Sequence, residues 1–188
     1  SGRILGIPGE NLKGVRLNAP KDGSAYKGKH VYVIGGADGA VKEALYLAQI
    51  AGKVTIVCVE DELICIQEFK DKVVTHDNIE IMPHASLTAV YGKEAVEELE
   101  FTDNQTGEKQ RVRDTDCGVF VYAGIIPNTQ MYTELKLDGG YIPVDESMQT
   151  EVRGVFAAGD ICVKQVRQVA TAVSDGAIAG IHAAAVCG

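Results

Sequence analysis

The sequence predicts an α/β fold, in which buried strands alternate with helices around a parallel sheet. Three observations predict it. A short apolar run, HVYVI, ends in a pair of glycines; a stretch with apolar residues at helical spacing follows; and a second apolar run, KVTIV, comes next. Strand, glycine turn, helix and strand within about 30 residues are typical of a βαβ unit, whose two strands are parallel.

Further elements follow along the chain. Residues 1–29, rich in glycine, proline and lysine, predict an extended N-terminal segment, and Gly52 is expected to cap the end of the helix after the glycine turn. Residues 85–113 form short alternating segments with the turn sequence NQTGE, which predicts a β-meander whose acidic run VEELE (96–100) faces solvent. The other predicted elements are a helix over 61–74, a third strand over 79–83, a buried strand over 117–124, a short helix near 129–136 and a final helix from about residue 167.

The composition excludes several classes of partner. The chain has 188 residues, of which 46% are hydrophobic and 23% charged, with a formal net charge of −8. Because nucleic acids and anionic membranes are bound by clustered lysine and arginine, we expect neither as a partner. No apolar run approaches the roughly 20 residues that span a bilayer, and residues 1–20 lack the continuous apolar core of a signal peptide.

The cysteines indicate a reducing, cytoplasmic environment. They are odd in number and show no C-x-x-C spacing, unlike a secreted disulfide scaffold or a structural zinc site. Nor do the four histidines have ligand spacing with one another, so we expect no metal. Most of the cysteines lie in apolar runs, which predicts small buried side chains at Cys58, Cys65, Cys117, Cys162 and Cys187.

The glycine turn is the first candidate site. A dinucleotide fingerprint, G-x-G-x-x-G/A, needs a tight turn, a small residue beside the pyrophosphate and close packing of helix and strand. Gly35 and Ala40 match its first and last positions, whereas Ala37 replaces the second glycine and its methyl group would crowd the phosphates. The turn is therefore either a Rossmann-type nucleotide turn, with Gly36 and Asp38 beside it, or a packing turn that binds nothing.

The end of the second predicted strand is the second candidate. A site for a 2′-phosphate needs arginine there, whereas a site for a 2′-hydroxyl needs a carboxylate. The sequence places Glu60 and Asp61 at this point and has no arginine between Arg16 and Arg111. If a pyridine nucleotide binds, NADH is therefore favoured over NADPH. The alternative is that both acids merely begin the next helix, where they suit its dipole.

Longer segments resemble one family. KGKHVYVIGGADGAVKEALYLAQIAGKVTIV is similar to the pyridine-nucleotide domain of the thioredoxin reductase family, the class II pyridine nucleotide-disulfide oxidoreductases, in which the turn usually reads GGGDSA and the helix EEALYL. GVFVYAGIIPNT, GVFAAGDI and RQVATAVSDGAIAG resemble the family's returning FAD-domain segment. The resemblance spans almost the whole chain and implies a Rossmann-like, three-layer ββα domain of FAD/NAD(P)-binding type, with a partial second Rossmann-like FAD segment. It divides the chain into a linker with the end of the first FAD half (1–27), a pyridine-nucleotide-binding-like domain (28–115) and the returning FAD segment (116–188).

The resemblance also implies roles for individual residues. Asp160 is similar to the aspartate that holds the ribityl–phosphate region of FAD, although a helix or turn cap is the alternative. Arg167 and Gln168 match a pair near the isoalloxazine, where the following helix would present its N–H groups. The implied pyridine-nucleotide contacts are Gly35, Gly36, Ala37, Asp38, Ala40 and Glu60, and the implied FAD contacts are Gly159, Asp160, Arg167, Gln168 and Val169.

Three departures from the family pattern limit what this resemblance implies. The G-x-G-x-x-G of the first FAD half is absent, so we expect a fragment or a flavin site completed by another polypeptide. Asn18 and Lys21 occupy the positions of the redox cysteines, and Asp22, which matches the family's general acid, has no thiol to serve. In place of the H-R-R-x-x-x-R phosphate clamp stand Cys58-Val59-Glu60 and Ile64, which makes NADPH use doubtful.

Two functions remain open at this point. The first is a thioredoxin-reductase-like flavoprotein oxidoreductase that transfers electrons through FAD from NADH or from a protein donor such as ferredoxin. The alternative is a non-catalytic relative or subunit that has lost NADPH use and disulfide reduction. The resemblance further implies a protein electron donor or acceptor as partner and, since the family commonly dimerises, a homodimer.

Overall fold

The computed structural model describes residues 5–124 and 127–187. Residues 1–4, 125–126 and 188 and the side chains of Arg16 and Cys187 are not described, so the start of the predicted N-terminal segment and the predicted burial of Cys187 lie outside the described residues. The chain divides into two compact units, residues 2–125 and 126–188.

The first unit contains a parallel sheet, an antiparallel sheet and short helices. The elements are β1 (Val15–Leu17), α1 (Ala19–Asp22), a 3₁₀ turn (Gly23–Tyr26), β2 (His30–Ile34), α2 (Asp38–Ala48), β3 (Lys53–Val57), α3 (Gln67–Val73), β4 (Ile79–Met82), β5 (Ala85–Tyr91), β6 (Glu98–Asp103), β7 (Lys109–Arg113) and β8 (Gly118–Val121). The strand order of the parallel sheet is β1-β8-β2-β3-β4, and the antiparallel sheet has the order β5-β6-β7.

Alternation along β2 explains the three layers. Val31 and Val33 are fully buried in the core that β2 shares with α2, whereas Tyr32 and Ile34 are buried in the core shared with the antiparallel sheet. Successive residues of a strand point to opposite faces, so a strand covered on both faces is apolar throughout. The predicted parallel βαβ unit, the third strand, the β-meander and the three-layer α/β fold are confirmed.

Strand β8 lies between β1 and β2 and pairs with both in parallel. The chain therefore leaves β2 towards β3 on one side, while β8 enters on the other side. In open parallel sheets such a change of direction opens a crevice at the carboxyl ends of the strands. Strand β8 belongs to the first compact unit, which ends at residue 125. The division at residue 116 separates the segment that resembles a pyridine-nucleotide domain from the one that resembles an FAD segment, and it stays a prediction.

Several local predictions in the first unit are wrong. In the segment predicted to be extended, Ala19–Asp22 form α1 and Gly23–Tyr26 form a 3₁₀ turn. The helix predicted over 61–74 begins only at Gln67, because the amides of Ile64 and Ile66 bond instead to the Gly36 carbonyl (2.9 Å) and the Asp38 carboxylate (2.8 Å). Gly52 does not cap α2, which ends at Ala48. It is glycine because a Cβ there would stand 2.5 Å from the carbonyl oxygen of Gly28.

The acidic run VEELE also differs from its prediction. Leu99 is fully buried in the core under the antiparallel sheet, and Glu100 is only 6% exposed. The Glu100 carboxylate accepts bonds from Lys109 Nζ (3.0 Å) and Arg111 Nε (3.2 Å) on the neighbouring strand. A cross-strand pair of opposite charge therefore buries this carboxylate, which a single strand's sequence does not reveal.

The second unit is built mostly from turns and one long helix, α4 (Val169–Cys187). No helix forms near residues 129–136, a segment described in full, where isolated bonds such as Tyr132 N–H to Thr129 O (2.9 Å) make turns instead. The final helix is confirmed. Single bridges link the turns, among them Ile142 with Cys162 and Gln149 with Phe156.

Helix α4 corrects one expectation from the sequence. Its window Val169–Val186 has a mean hydropathy of 1.4 and is 6% buried, so by length and composition it meets the criterion for a membrane-spanning helix. Alanine, valine and isoleucine give it this hydropathy, with Asp175 as its one acid. A single such helix is weak evidence of a membrane segment, because helices of water-soluble proteins pass the same test.

Candidate nucleotide site

An open cleft of about 490 Å³ lies at the carboxyl ends of the parallel strands in the first unit. It is bounded by the segments that leave β2, β3 and β8 and by the start of β5. This is the place where open α/β sheets bind their ligands. The described residues that line the cleft are Leu5, Ile7, Ile34, Gly35, Gly36, Ala37, Val57, Val59, Glu60, Ile64, Ala85, Ser86, Leu87, Tyr122, Ala123 and Gly124.

The glycine pair after β2 is required by the packing of the strands. Gly35 has φ +131°, and a Cβ on it would stand 2.6 Å from the carbonyl oxygen of Tyr122. A Cβ on Gly36 would stand 2.7 Å from the Cβ of Cys58. Both positions therefore exclude a side chain, and this holds whichever ligand the cleft takes.

Ala37 forms the boundary between the turn and α2. Its backbone is extended (φ −87°, ψ 173°), which any residue adopts, and its side chain makes no capping bond to the helix. Because Gly36 and Ala37 line the cleft, the amino end of this eleven-residue helix opens onto it. The partial positive charge of a helix amino end suits an anionic group such as a diphosphate.

Two of the predicted turn residues, Asp38 and Ala40, do not line the cleft. The Asp38 carboxylate accepts the Ile66 amide and so anchors the segment before α3, and Ala37 forms a bridge with Ile64. Ala40 is buried, and its Cβ would be 3.2 Å from a Cβ on Gly35. Of the predicted nucleotide residues, the structure brings Gly35, Gly36, Ala37 and Glu60 together on the cleft.

The rim of the cleft is acidic and apolar. Glu60 is partly buried, and its Oε2 would lie 3.5 Å from a Cβ on Gly36. Val59 and Ile64, which occupy two arginine positions of the H-R-R-x-x-x-R phosphate clamp, are each 57% exposed. Among the described residues that line the cleft, none is arginine or lysine. Since α3 begins at Gln67, the alternative that Glu60 opens the next helix is wrong.

The cysteines of the described residues supply no replacement redox pair. All four whose side chains are described are free thiols, and Cys58, Cys117 and Cys162 are buried as predicted, whereas Cys65 is partly exposed. Burial raises the pKa of the Cys58 thiol and raises that of Cys117 to about 12. A raised pKa lowers the thiolate fraction, and the thiolate is the reactive form.

The predicted FAD residues lie in the second unit. Gly159 has φ +85° and donates its amide to the Asp175 carboxylate (3.0 Å), whereas Asp160 is exposed. The Arg167 guanidinium lies 4.0 Å above the Tyr141 ring and donates from Nε to the Asp160 carbonyl (3.3 Å). Arg167 therefore braces the loop, while Gln168 and Val169 are exposed at the start of α4.

Sequence reasoning missed the part of the cleft formed by β5 and β8. Tyr122 follows β8, lines the cleft and accepts the Ala19 amide through its hydroxyl (3.1 Å). Its position near the end of the buried strand predicted over 117–124 was a usable signal, because the carboxyl ends of parallel strands meet at one edge. Ser86 and Leu87 gave no such signal, since they belong to the antiparallel meander.

Comparisons with known proteins agree with this geometry. The family model for pyridine nucleotide-disulphide oxidoreductases matches residues 1–176. The thioredoxin reductase of Peptoclostridium acidaminophilum is 40% identical over 190 residues, which cover 96% of this chain and 60% of that protein. The crystal structures of the thioredoxin reductases from Lactococcus lactis and T. acidophilum are each 32% identical, with TM-scores of 0.90 and 0.86, and the match covers 97% and 96% of this chain but 62% and 61% of theirs.

Proposed function

Because the chain belongs to the pyridine nucleotide-disulphide oxidoreductase family, we propose that its first unit binds a pyridine dinucleotide without a 2′-phosphate, as part of a thioredoxin-reductase-like flavoprotein. The observation that supports this most strongly is the cleft at the strand ends, with the amino end of α2 on one side and Glu60 on its rim. The chain spans about 60% of the length of the curated relatives it matches, so the activity of a whole protein is part of the proposal.

Neighbouring parts of the cleft suit different parts of NADH. The amino end of α2 at Gly36 and Ala37 would hold the diphosphate, and the Glu60 carboxylate would accept hydrogen bonds from the ribose hydroxyls. Val59 and Ile64 offer apolar surface beside Glu60 for the adenine. A 2′-phosphate would meet a carboxylate there, and no arginine or lysine among the described residues of the lining. NADH supplies a hydride when bound; this chain's residues supply orientation.

We assign the FAD contacts of the same proposal to the second unit. Gly159, Asp160, Gln168 and Val169 would contact the cofactor, and Arg167 would hold their loop through its bonds to backbone carbonyls. When bound, FAD accepts the reducing electrons. The partner of this reaction would be a protein electron donor or acceptor, in a cytoplasmic setting that the free cysteines support, and a homodimer is its proposed form.

Titration of the purified protein with NADH and NADPH tests the nucleotide proposal. We expect NADH to bind at least about tenfold more tightly, a difference of roughly 1.4 kcal/mol. The double variant Val59→Arg/Glu60→Arg should reverse this preference, whereas Asp77→Asn, at an exposed residue outside the cleft lining, should leave it unchanged. Tighter binding of NADPH by the parent protein, or binding of neither nucleotide, would contradict the proposal.

The structure of the redox positions supports a second candidate, a non-catalytic relative or subunit that has lost NADPH use and disulfide reduction. Asn18 lies just before α1 and Lys21 lies within it. The Asn18 side chain accepts the Lys21 amide, and the Asn18 amide donates to the Asp22 carboxylate. Reduction of a bound flavin by NADH or by reduced ferredoxin, followed by absorption spectra, separates the two candidates. A protein that holds no flavin, or whose flavin none of these donors reduces, fits the non-catalytic candidate.

A further inference from the structure

His84 has an unusual backbone beside the cleft. It lies between β4 and β5 with φ +53°, in the left-handed region that non-glycine residues seldom adopt. The next three residues, Ala85, Ser86 and Leu87, all line the cleft. Backbone strain of this kind persists only where surrounding contacts maintain it, and it is found preferentially at functional sites.

The backbone of His84 is bonded to the segment that carries the acidic rim. Its amide donates to the Glu60 carbonyl (3.1 Å), and the Ala85 amide donates to the Cys58 carbonyl (2.9 Å). The carbonyl of His84 accepts the Asn104 amide (2.6 Å) from the β6–β7 turn. The left-handed turn at His84 thus joins the exit of β3 to the antiparallel sheet.

The imidazole makes the same connection with its two nitrogens. Nδ1 lies 3.2 Å from the Asp61 carboxylate, and Nε2 lies 3.3 Å from Nε2 of Gln105. The amide nitrogen of Gln105 can donate to Nε2, which leaves Nδ1 to face the Asp61 carboxylate. Asp61 does not line the cleft, and Glu60 is the one carboxylate among the described residues that do.

We propose that His84 is a positioning residue that sets the place of the Glu60 carboxylate on the cleft and so determines the preference for a dinucleotide without a 2′-phosphate; this rests on the proposed function. The bond to the Glu60 carbonyl fixes the backbone of the rim. The imidazole keeps the neighbouring carboxylate of Asp61 turned away, so that the ribose meets a single, fixed acceptor.

Two substitutions separate the side chain from the backbone. His84→Gly keeps the left-handed conformation and removes the imidazole, whereas His84→Asn tolerates that conformation and retains a short side-chain donor. We expect His84→Gly to weaken NADH binding about threefold to tenfold with little change for NADPH, so that the ratio of the two dissociation constants falls. His84→Asn should restore part of the ratio. His76→Asn, at a half-buried histidine that does not line the cleft, is the matched control.

Amide hydrogen exchange gives a readout that needs no nucleotide. The amides at positions 84 and 85, which bond to Glu60 and Cys58, should exchange faster in His84→Gly than in the parent. If the parent binds NADH and His84→Gly has the same NADH/NADPH ratio, this proposal alone is overturned. An equal loss for both nucleotides with a lower melting temperature also overturns it. If the parent binds neither nucleotide, the proposed function is overturned together with it.

Discussion

The side-chain oxygen of Asn18 accepts a hydrogen bond of 3.1 Å from the backbone amide of Lys21, and these residues stand where the family has its redox cysteines. Reciprocally, the Asp22 carboxylate accepts the Asn18 amide at 2.7 Å. This resembles a capping box, in which two side chains satisfy amides at the start of a helix, but the reciprocal side chain, Asp22, lies one position later than in that motif. The positions that would carry out thiol chemistry therefore stabilise a short helix.

Removing this cap should lower stability without affecting the cleft. We expect Asn18→Ala to reduce the free energy of unfolding by about 1 kcal/mol, the usual effect of losing an N-cap side chain. Lys21→Ala, at an exposed side chain that makes no capping bond, should change it by less than about 0.5 kcal/mol. Urea unfolding of both variants is the measurement, and equal stabilities would show that the cap contributes nothing.

The methyl group of Ala37 allows a second prediction. Since the backbone of Ala37 is extended, Ala37→Gly should leave the turn unchanged while making room beside the amino end of α2. We expect NADH to bind several-fold more tightly to Ala37→Gly and more weakly to Ala37→Val, whose larger side chain narrows the same path. Fluorescence titration with NADH measures both. The exposed, non-lining Gly39, substituted as Gly39→Ala, is the control, and identical affinities for all three variants would place the diphosphate elsewhere.

Local patterns were sufficient where one element's own residues determine its structure. The alternation in β5 and the β2-turn-α2-β3 run are of this kind, and both are confirmed. They were insufficient where a distant segment takes over backbone bonds. Residues 61–66 are not helical because Gly36 and Asp38 accept amides of this segment. Position 52 requires glycine because the backbone of Gly28 lies too close for a side chain. Contacts across the fold decide these positions, and one stretch of sequence does not show them.

The candidate site follows the same division. The glycine turn and Glu60 were predictable because the strand-turn-helix-strand order places both at one sheet edge. The proposed contribution of His84 was not predictable, because it depends on a left-handed backbone and on Gln105 from another hairpin.

Glu100 should make the antiparallel sheet sensitive to acid. Bonds from Lys109, Arg111, Thr88 and Tyr91 lower its pKa to about 2, from an ordinary 4.5. A carboxyl with a depressed pKa in the folded state stabilises the fold above its unfolded pKa. That stabilisation is lost as the pH falls from about 4.5 to about 2.

Glu100→Gln should therefore lower the melting temperature at pH 7 and flatten its decline between about pH 4.5 and 2. Glu98→Gln is the matched control on the same strand, since Glu98 is partly exposed and lies 3.7 Å from Arg111. Melting curves recorded from pH 7 to 2 measure both. Parallel pH profiles for the parent and Glu100→Gln would contradict the prediction.

The ion pair between Lys164 and Asp175 should hold α4 to the loop that carries the proposed FAD residues. Both side chains are largely buried, at 15% and 13% exposed, and Asp175 also accepts the Gly159 amide. Lys164 lowers the pKa of Asp175, so the pair's contribution is present above the unfolded pKa of the carboxyl and is lost on acidification.

Asp175→Asn leaves the ammonium buried without a counter-charge and should weaken the local structure by about 3–5 kcal/mol. Lys164→Met/Asp175→Asn removes both charges and should recover most of that loss, because a buried pair can be replaced together at little net cost. Amide hydrogen exchange along α4 measures the opening free energy of this unit directly, with the exposed Ser174→Ala as control. If the double variant is as unstable as Asp175→Asn, the hydrogen bond geometry of Asp175, and not its charge, holds the loop to the helix.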